Sequence, residues 1–411
     1  MAEKPTVTVG PWPLGIDNRS PDYAVPADAL RNAVNVNLSR DGHVQRRQGY
    51  ARIVDVLAPH SLYTCPAGTF FASQGTLYTL NSDNTTTAVL SGLLGSRVTY
   101  EYFNDIIYLS DGVTTKRLLG GVVLMDWGIP RPTTKLIIQT TSGDLHFGTF
   151  TAAASFINSL GEESALGPIS QITTSANSGF ILDDLPNPTN ADVTHIRLYF
   201  SGSGSTTLYH IADVAVGTAS YTITDRVDTG KAANLRVFAV PPASNIIRHH
   251  AGRMYLVVGS TVFYTEPYAF NWIDPVKSFW QFPEAISVFE PIESGAFIVA
   301  DKTYFYRFKD PDDTQVAELL DYGAIPYTSV RLPHGEGVMW QSTRGTIMGD
   351  ENGTVKNIQE ERAAADTAST GAAFLREQDG TRQFVASLPN STISPLSAKS
   401  FMEAEIIRRG S

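Results

Sequence analysis

One short pattern recurs along the chain and limits the fold more than any other feature. Each copy holds an apolar run, a brief polar turn and a second run that is usually aromatic. The copies span residues 69–72 with 76–80, 106–109 with 115–118, 252–257 with 261–264, 296–300 with 302–306, and 338–341 with 344–348. Short apolar runs that are bounded by turn residues predict antiparallel hairpins.

The spacing of these hairpins suggests how they are organised. They recur roughly every 40 residues, which is the length of a four-stranded propeller blade. Two copies lie before residue 130 and three after residue 238. We therefore predict an all-β chain with a β-propeller of about five blades. Residues 1–130 would hold an N-terminal arm and the first blades, and residues 239–411 the remaining blades and a C-terminal arm. We expect a hairpin over 374–386 to complete the last blade.

The stretch 131–238 breaks this rhythm. It begins near Pro130 and Pro132, is rich in Ser and Thr, and ends near Pro241 and Pro242. Its runs 148–158, 193–200, 208–214 and 220–224 predict strands, and with weaker runs the segment reaches about seven. A compact domain whose termini are adjacent can be inserted between two blades. We predict an inserted immunoglobulin- or fibronectin-like β-sandwich here.

Composition excludes several classes of protein. The formal net charge is −10 and no basic run is present, which argues against a protein that grips DNA phosphates. Cys65 is the single cysteine, so an intramolecular disulfide framework is excluded. No window of ~20 apolar residues predicts a membrane span, and we expect no membrane insertion. Such a chain is expected to be made and assembled in the cytoplasm.

The sequence offers little for catalysis. The histidines show no zinc-protease spacing, and the phosphate-binding and nucleophile-elbow motifs are missing. Carboxylate pairs such as Glu162–Glu163 occupy turn-like stretches, where solvated charge is the default interpretation. A glycosidase needs two carboxylates across a substrate, and sequence alone leaves that possibility open. We predict no enzyme activity, no catalytic or metal-binding residue and no cofactor.

The N-terminal segment provides the candidates for an interface. Five prolines in the first 26 residues disfavour a helix or an interior strand. Trp12, Leu14 and Ile16 make the segment too apolar for a solvated tail, so we predict an arm anchored by these side chains. The alternative is a disordered terminus. Arg46–Arg47 is a further interface candidate, with two solvated charges as the alternative.

Several short motifs resemble a known family. Gly15-Ile16-Asp17-Asn18, Ala33-Val34-Asn35-Val36, Asp41-Gly42, Arg46-Arg47 and Gly49-Tyr50 resemble the opening of bacteriophage tail hub or nozzle proteins, which include DNA-stabilisation proteins of short-tailed phages. The stretch from Gly252 to Trp272 is similar to a second pattern of that family. Phe156-Ile157-Asn158, Gly161-Glu162-Glu163-Ser164 and Ile196-Arg197-Leu198-Tyr199 resemble fibronectin-like insertions in phage tail proteins.

The resemblance implies a structural role in the virion tail. It implies a homohexameric ring below the portal and adaptor, with the portal-adaptor and other tail proteins as partners. Double-stranded DNA would pass through the lumen without sequence-specific binding, and the ring would retain packaged DNA until infection. The alternative is a receptor- or carbohydrate-binding propeller at the tail tip, for which Trp272 and Trp280 are the close aromatic pair.

Overall fold

The computed structural model describes residues 10–34, 36–39, 41–47, 51–94, 97–224, 230–363, 368–378, 381–389 and 401–405. Within these ranges the regular structure is β-strand, apart from two 3-10 turns at Asp22–Ala24 and Pro333–Gly335. The all-β prediction is therefore confirmed for the described residues. The chain divides into a terminal unit (Met1–Asp55, Gly259–Thr261 and Gln281–Ser411) and a central unit (Val56–Val258 and Val262–Trp280).

The terminal unit begins with a two-stranded hairpin and continues with two four-stranded antiparallel sheets. The hairpin pairs β1 (Val36–Leu38) with β2 (Val44–Arg46).

The central unit opens with a sheet of β3 (His60–Cys65), β4 (Gly68–Ser73), β5 (Thr76–Leu80) and β6 (Thr86–Ser91). Its second sheet holds β7 (Thr99–Phe103), β8 (Ile106–Ser110), β9 (Thr115–Leu119) and β10 (Val123–Asp126). In both of these four-stranded sheets the strands pair in chain order.

Tight turns explain why these runs pair as hairpins. Between β4 and β5, Gln74 and Gly75 both adopt positive φ, +47° and +74°, as a two-residue turn of this kind requires. A Cβ on Gly75 would also lie 2.6 Å from the Leu93 carbonyl oxygen, so glycine is needed for space as well as conformation.

Residues 137–223 form two facing sheets. One holds β11 (Ile137–Leu145), β14 (Ser178–Asp183) and β17 (Ser220–Ile223), in the order β11-β14-β17. The other holds β12 (Gly148–Asn158), β13 (Ser170–Thr174), β15 (Val193–Ser201) and β16 (Leu208–Ala215), in the order β13-β12-β15-β16. The two sheets share one apolar core, so this region is a two-layer β-sandwich.

Aromatic side chains fill the centre of that core. Phe150 and Phe200 come from one sheet and Phe180 from the other, and their ring centroids lie 4.6–5.5 Å apart. Ile196, Leu198 and Phe200 are fully buried on one face of β15, as the alternation of the sequence predicted.

The third four-stranded sheet of the central unit follows the sandwich. It comprises β18 (Ile246–His250), β19 (Arg253–Val258), β20 (Thr261–Tyr264) and β21 (Phe279–Gln281). Side chains of the first and second sheets share a core that includes Phe70, Leu77 and Leu109. The second and third sheets share another, around Trp127 and Met254. The sheets of this unit therefore stack face to face in chain order.

The terminal unit also contains consecutive four-stranded sheets that share an apolar core. Its sheets are β22 (Val288–Ile292), β23 (Gly295–Val299), β24 (Thr303–Phe308) and β25 (Thr314–Leu320), and then β26 (Val330–Arg331), β27 (Val338–Ser342), β28 (Gly345–Gly349) and β29 (Val355–Asn357). Phe297 and Trp340 pack between them. All five predicted hairpins are thus the central strands of four-stranded sheets.

The C-terminal hairpin differs from the expectation. Strands β30 (Ala372–Gln378) and β31 (Thr381–Ser387) pair as predicted, and the turn Asp379–Gly380 lies outside the described residues. They form a separate three-stranded sheet with β32 (Phe401–Glu405) and do not complete the sheet β26–β29. That sheet already has four strands. Phe384 and Ala386 instead pack against its face.

The shared core generates a prediction about the sandwich. Residues 131–238 expressed alone should be soluble, rich in β-structure by circular dichroism, and cooperative in thermal unfolding, because both sheets bury their apolar faces against each other. A product without β-structure, or one that melts without a transition, would contradict this. The domain boundaries of the sequence analysis stay predictions until then.

Candidate functional site: a polar junction at Glu162 and Glu163

The predicted N-terminal anchors lie against their own chain. The Trp12 amide donates to the Gly42 carbonyl at 2.8 Å, and Ile16 forms a parallel bridge with Leu30. The side chains of Trp12, Leu14 and Ile16 are all half-buried. The backbone of the arm is therefore held within the terminal unit, and part of each side chain stays accessible. A role at a subunit interface stays a prediction.

The arginine pair lies at the end of β2. Arg46 is exposed, whereas Arg47 is half-buried and its Nε donates to Asn37 Oδ1 at 3.0 Å. Because side chains alternate along a strand, the two arginines point to opposite faces of the hairpin.

Glu162 is bonded by side chains from three elements of the central unit. Arg117 of β9 is 2% exposed and donates from both terminal nitrogens, with Nη1 2.7 Å from Oε1. Asn158, at the end of β12, donates to Oε2 at 2.7 Å. Asn271, in the loop after β20, donates to Oε1 at 2.7 Å. The sandwich and two four-stranded sheets thus meet at one carboxylate.

The turn that carries this carboxylate is fixed by its own sequence. Asn158 Oδ1 accepts the amides of Leu160 and Glu162, at 3.0 and 2.9 Å, which closes the chain into a tight turn. Gly161 supplies the positive φ of +77° that the turn requires. The motif therefore directs Glu162 away from the sandwich core toward the neighbouring sheet.

Glu163 points the other way, along the outer face of the sandwich. Ser155 Oγ and Tyr199 Oη donate to its Oε1 at 2.6 and 2.5 Å, and Arg197 Nη1 donates to Oε2 at 3.0 Å. Arg197 also makes two 2.8 Å hydrogen bonds to Asp213. This network ties β12, β15 and β16 to the same turn.

The two connections to the sandwich run side by side. On the incoming side, Trp127 is 2% exposed, and its Nε1 donates to the Phe270 carbonyl at 3.0 Å. A Cβ on the next residue, Gly128, would lie 3.1 Å from Val240 Cγ1 of the outgoing connection. Entry and exit of the segment are therefore adjacent.

An aromatic stack holds the outgoing connection. Phe238 stacks on Trp272, with ring centroids 4.7 Å apart and an interplanar angle of 16°. The Arg236 guanidinium lies 4.6 Å from the centroid of Phe238 and pairs with Glu266 at 2.8 Å. Trp272 Nε1 donates to the Glu163 carbonyl at 3.1 Å, so the stack reaches the same turn.

The tryptophan pair that suggested a carbohydrate-binding role packs against protein. Trp272 belongs to the stack just described. Trp280 lies 5.8 Å from Tyr255 and 5.6 Å from Tyr264, measured between ring centroids, and is half-buried. The two indoles thus face protein, and they do not form an open aromatic platform for a sugar ring.

Electrostatics at the junction favour a fixed charge. Burial raises the pKa of Glu162, but hydrogen bonds from Arg117, Asn158 and Asn271 more than offset this and lower its pKa below the ordinary value. The Asp213 pKa is lowered chiefly by its hydrogen bonds with Arg197. These carboxylates are held ionised by donors, which suits an electrostatic clamp better than proton transfer.

The interpretation of Glu162–Glu163 as solvated charge is therefore wrong. Both carboxylates are largely covered, and each accepts hydrogen bonds from three side chains. The available sequence signal was Arg117, a charged residue beside Lys116 in the predicted strand run 115–118. Its partner lies 45 residues away, so sequence spacing did not identify it.

Two further features are absent from the described ranges. Within them, no three His, Cys, Asp or Glu side chains are grouped so as to hold a metal ion. None of the helices in the same ranges has the length and apolar character needed to cross a membrane.

Comparison with known proteins gives no family assignment. No family model matches the chain, and no curated protein matches it. Among solved structures, BBS1N in complex with ARL6DN aligns over 88% of this chain and 97% of its own, at 7% identity and a TM-score of 0.36. The extracellular domain of the putative one component system BT4673 from B. thetaiotaomicron aligns over 84% and 65%, at 9% identity and a TM-score of 0.26. Saccharomyces cerevisiae Sqt1 aligns over 72% and 92%, at 10% identity and a TM-score of 0.19. Similarity at this level carries no argument about function.

Removing the carboxylate at the junction should destabilise the central unit. Glu162→Gln leaves the buried Arg117 without its counter-ion, and we expect a loss of about 2–3 kcal/mol in the free energy of unfolding. The value is below that for fully buried pairs because the Glu162 side chain keeps 30% of its area exposed. Urea unfolding measures it. The matched control, Glu318→Gln, removes an exposed pair with Lys302 and should cost less than about 1 kcal/mol. Equal losses of unfolding free energy in the two variants would show that the Arg117–Glu162 pair stabilises the chain no more than an exposed ion pair does.

Acid should weaken the same contact. The pKa of Glu162 in the folded chain lies below its ordinary value of 4.5, so its stabilisation is complete above that value and is lost as pH falls through the folded pKa. The difference in unfolding free energy between wild type and Glu162→Gln should narrow from neutral pH to about pH 3. A difference that stays constant over this range would show that the charge of Glu162 contributes nothing.

Proposed function

We propose that the chain is a non-enzymatic structural subunit of a bacteriophage tail, in the hub or nozzle ring below the portal and adaptor. In that role it lines the DNA exit channel and retains packaged DNA. The proposed fold is a β-propeller of about five blades with a fibronectin-like sandwich inserted over 131–238.

The observation that carries the proposal is the polar junction at Glu162. Domains within one chain usually move relative to each other unless the contact between them is extensive. Here a buried arginine, an asparagine and an aromatic stack hold the sandwich at one turn. A rigid attachment of this kind suits a subunit that must keep its shape under load more than one that closes around a substrate.

The stacking of the sheets supports the propeller. In each unit, consecutive four-stranded sheets share an apolar core, as adjacent blades do. Strands within each four-stranded sheet outside residues 137–223 follow chain order. Both features are compatible with the blades of a propeller.

The charge of the chain supports passive contact with DNA. A net charge of −10 gives a surface that repels phosphates overall, so a duplex can slide through a ring without strong adhesion. The proposed partners are further copies of the chain in a homohexamer, the portal-adaptor proteins and other tail proteins.

Localisation tests the proposal directly. An antibody against the protein should label the tail, and not the head, of phage particles made by the source host, as seen by immunogold electron microscopy. Antibody against a capsid protein of the same phage is the control for access. Absence of the protein from purified virions, by labelling and by mass spectrometry, would overturn the proposed function.

A further inference from the structure

The β1–β2 hairpin has a partly exposed and largely apolar face. Val36 pairs with Arg46 and Leu38 with Val44, so these four side chains share one face of the ribbon. None of them is buried, and Val44 is 40% exposed. A two-stranded ribbon is marginally stable in water unless a further surface covers it. Within the part of the chain that the structure describes, this face is therefore only partly covered.

The turn of the hairpin is bonded to the N-terminal arm. The turn residue Gly42 accepts the Trp12 amide at 2.8 Å. A Cβ on Gly42 would lie 2.3 Å from the Pro13 backbone nitrogen, so arm and turn are in close contact. A ribbon that is fixed before binding loses little conformational freedom on docking.

Charge distinguishes the hairpin from the rest of the chain. Residues 36–47 hold three arginines and one aspartate, a formal charge of +2. The remaining chain keeps 28 of the 31 basic and 40 of the 41 acidic residues, a formal charge of −12. The exposed Arg46 lies on the apolar face itself. Another copy of this chain is therefore electrostatically complementary to the hairpin.

We propose that the face formed by Val36, Leu38, Val44 and Arg46 docks on an acidic surface of a second copy of this chain. The inference rests on the proposed ring assembly and names the element that joins neighbouring subunits. Arginine is enriched among the residues that carry most binding energy at interfaces, and the apolar side chains around Arg46 would exclude water from it. Duplex DNA is disfavoured as the occupant, because three of the four side chains on the face are apolar. DNA binding depends mainly on several basic side chains that neutralise phosphates.

Charge reversal at one exposed position tests the proposal on the full chain. Arg46→Glu should weaken self-association about tenfold or more in sedimentation equilibrium, and Val44→Ser should weaken it too. Raising the salt concentration should weaken the wild type more than Arg46→Glu, because screening acts on the charge that the variant lacks. Lys356→Glu is the matched control, since it makes the same charge change at an exposed residue of β29. All three variants should melt like the wild type.

Other results would overturn the inference. If Arg46→Glu and Val44→Ser associate like the wild type, the contact between copies lies outside the β1–β2 hairpin. Labelling of phage tails would be unaffected by that result, so the proposed function would be tested separately. A wild-type protein that stays monomeric at all concentrations would remove the second copy as the occupant. Tight binding of a short DNA duplex that Arg46→Glu abolishes would assign the face to nucleic acid instead.

Discussion

The Arg117–Glu162 pair is the contact on which the central unit depends. An arginine with 2% of its surface exposed has lost its hydration, and that cost is large unless a partner compensates. Glu162 provides two oxygens in the planar arrangement that a guanidinium matches. Because Arg117 belongs to a four-stranded sheet and Glu162 to the sandwich, the need to satisfy one buried charge fixes where the two meet.

The surrounding contacts extend this constraint to both chain connections. Asn271 and Trp272 bring the loop after β20 to the same turn, and the Trp272 ring stacks on Phe238 of the outgoing connection. Trp127 anchors the incoming connection to Phe270. The sandwich strands of residues 137–223 can therefore leave and rejoin the neighbouring sheets at adjacent points, without disturbing the strands on either side.

Local order was predictable from sequence, and the junction was not. Strand β12 begins and ends at the predicted residues, and the five hairpins form where turn residues separate apolar runs, because alternation and turn chemistry are short-range properties. Two partners of Glu162, Arg117 and Asn271, lie 45 and 109 residues away, so only the tertiary fold brings them together. The C-terminal hairpin was placed in the wrong sheet for a related reason. Its pairing depends on whether another sheet is already complete, which its own residues do not specify.

A single-particle cryo-electron microscopy map of the purified protein tests the central claim most directly. The account predicts a closed ring of subunits around an open channel that admits a DNA duplex, with the sandwich in one fixed orientation and the Glu162 turn against Arg117 in every subunit. Isolated subunits whose sandwich takes many orientations, or a closed assembly without a channel, would contradict it.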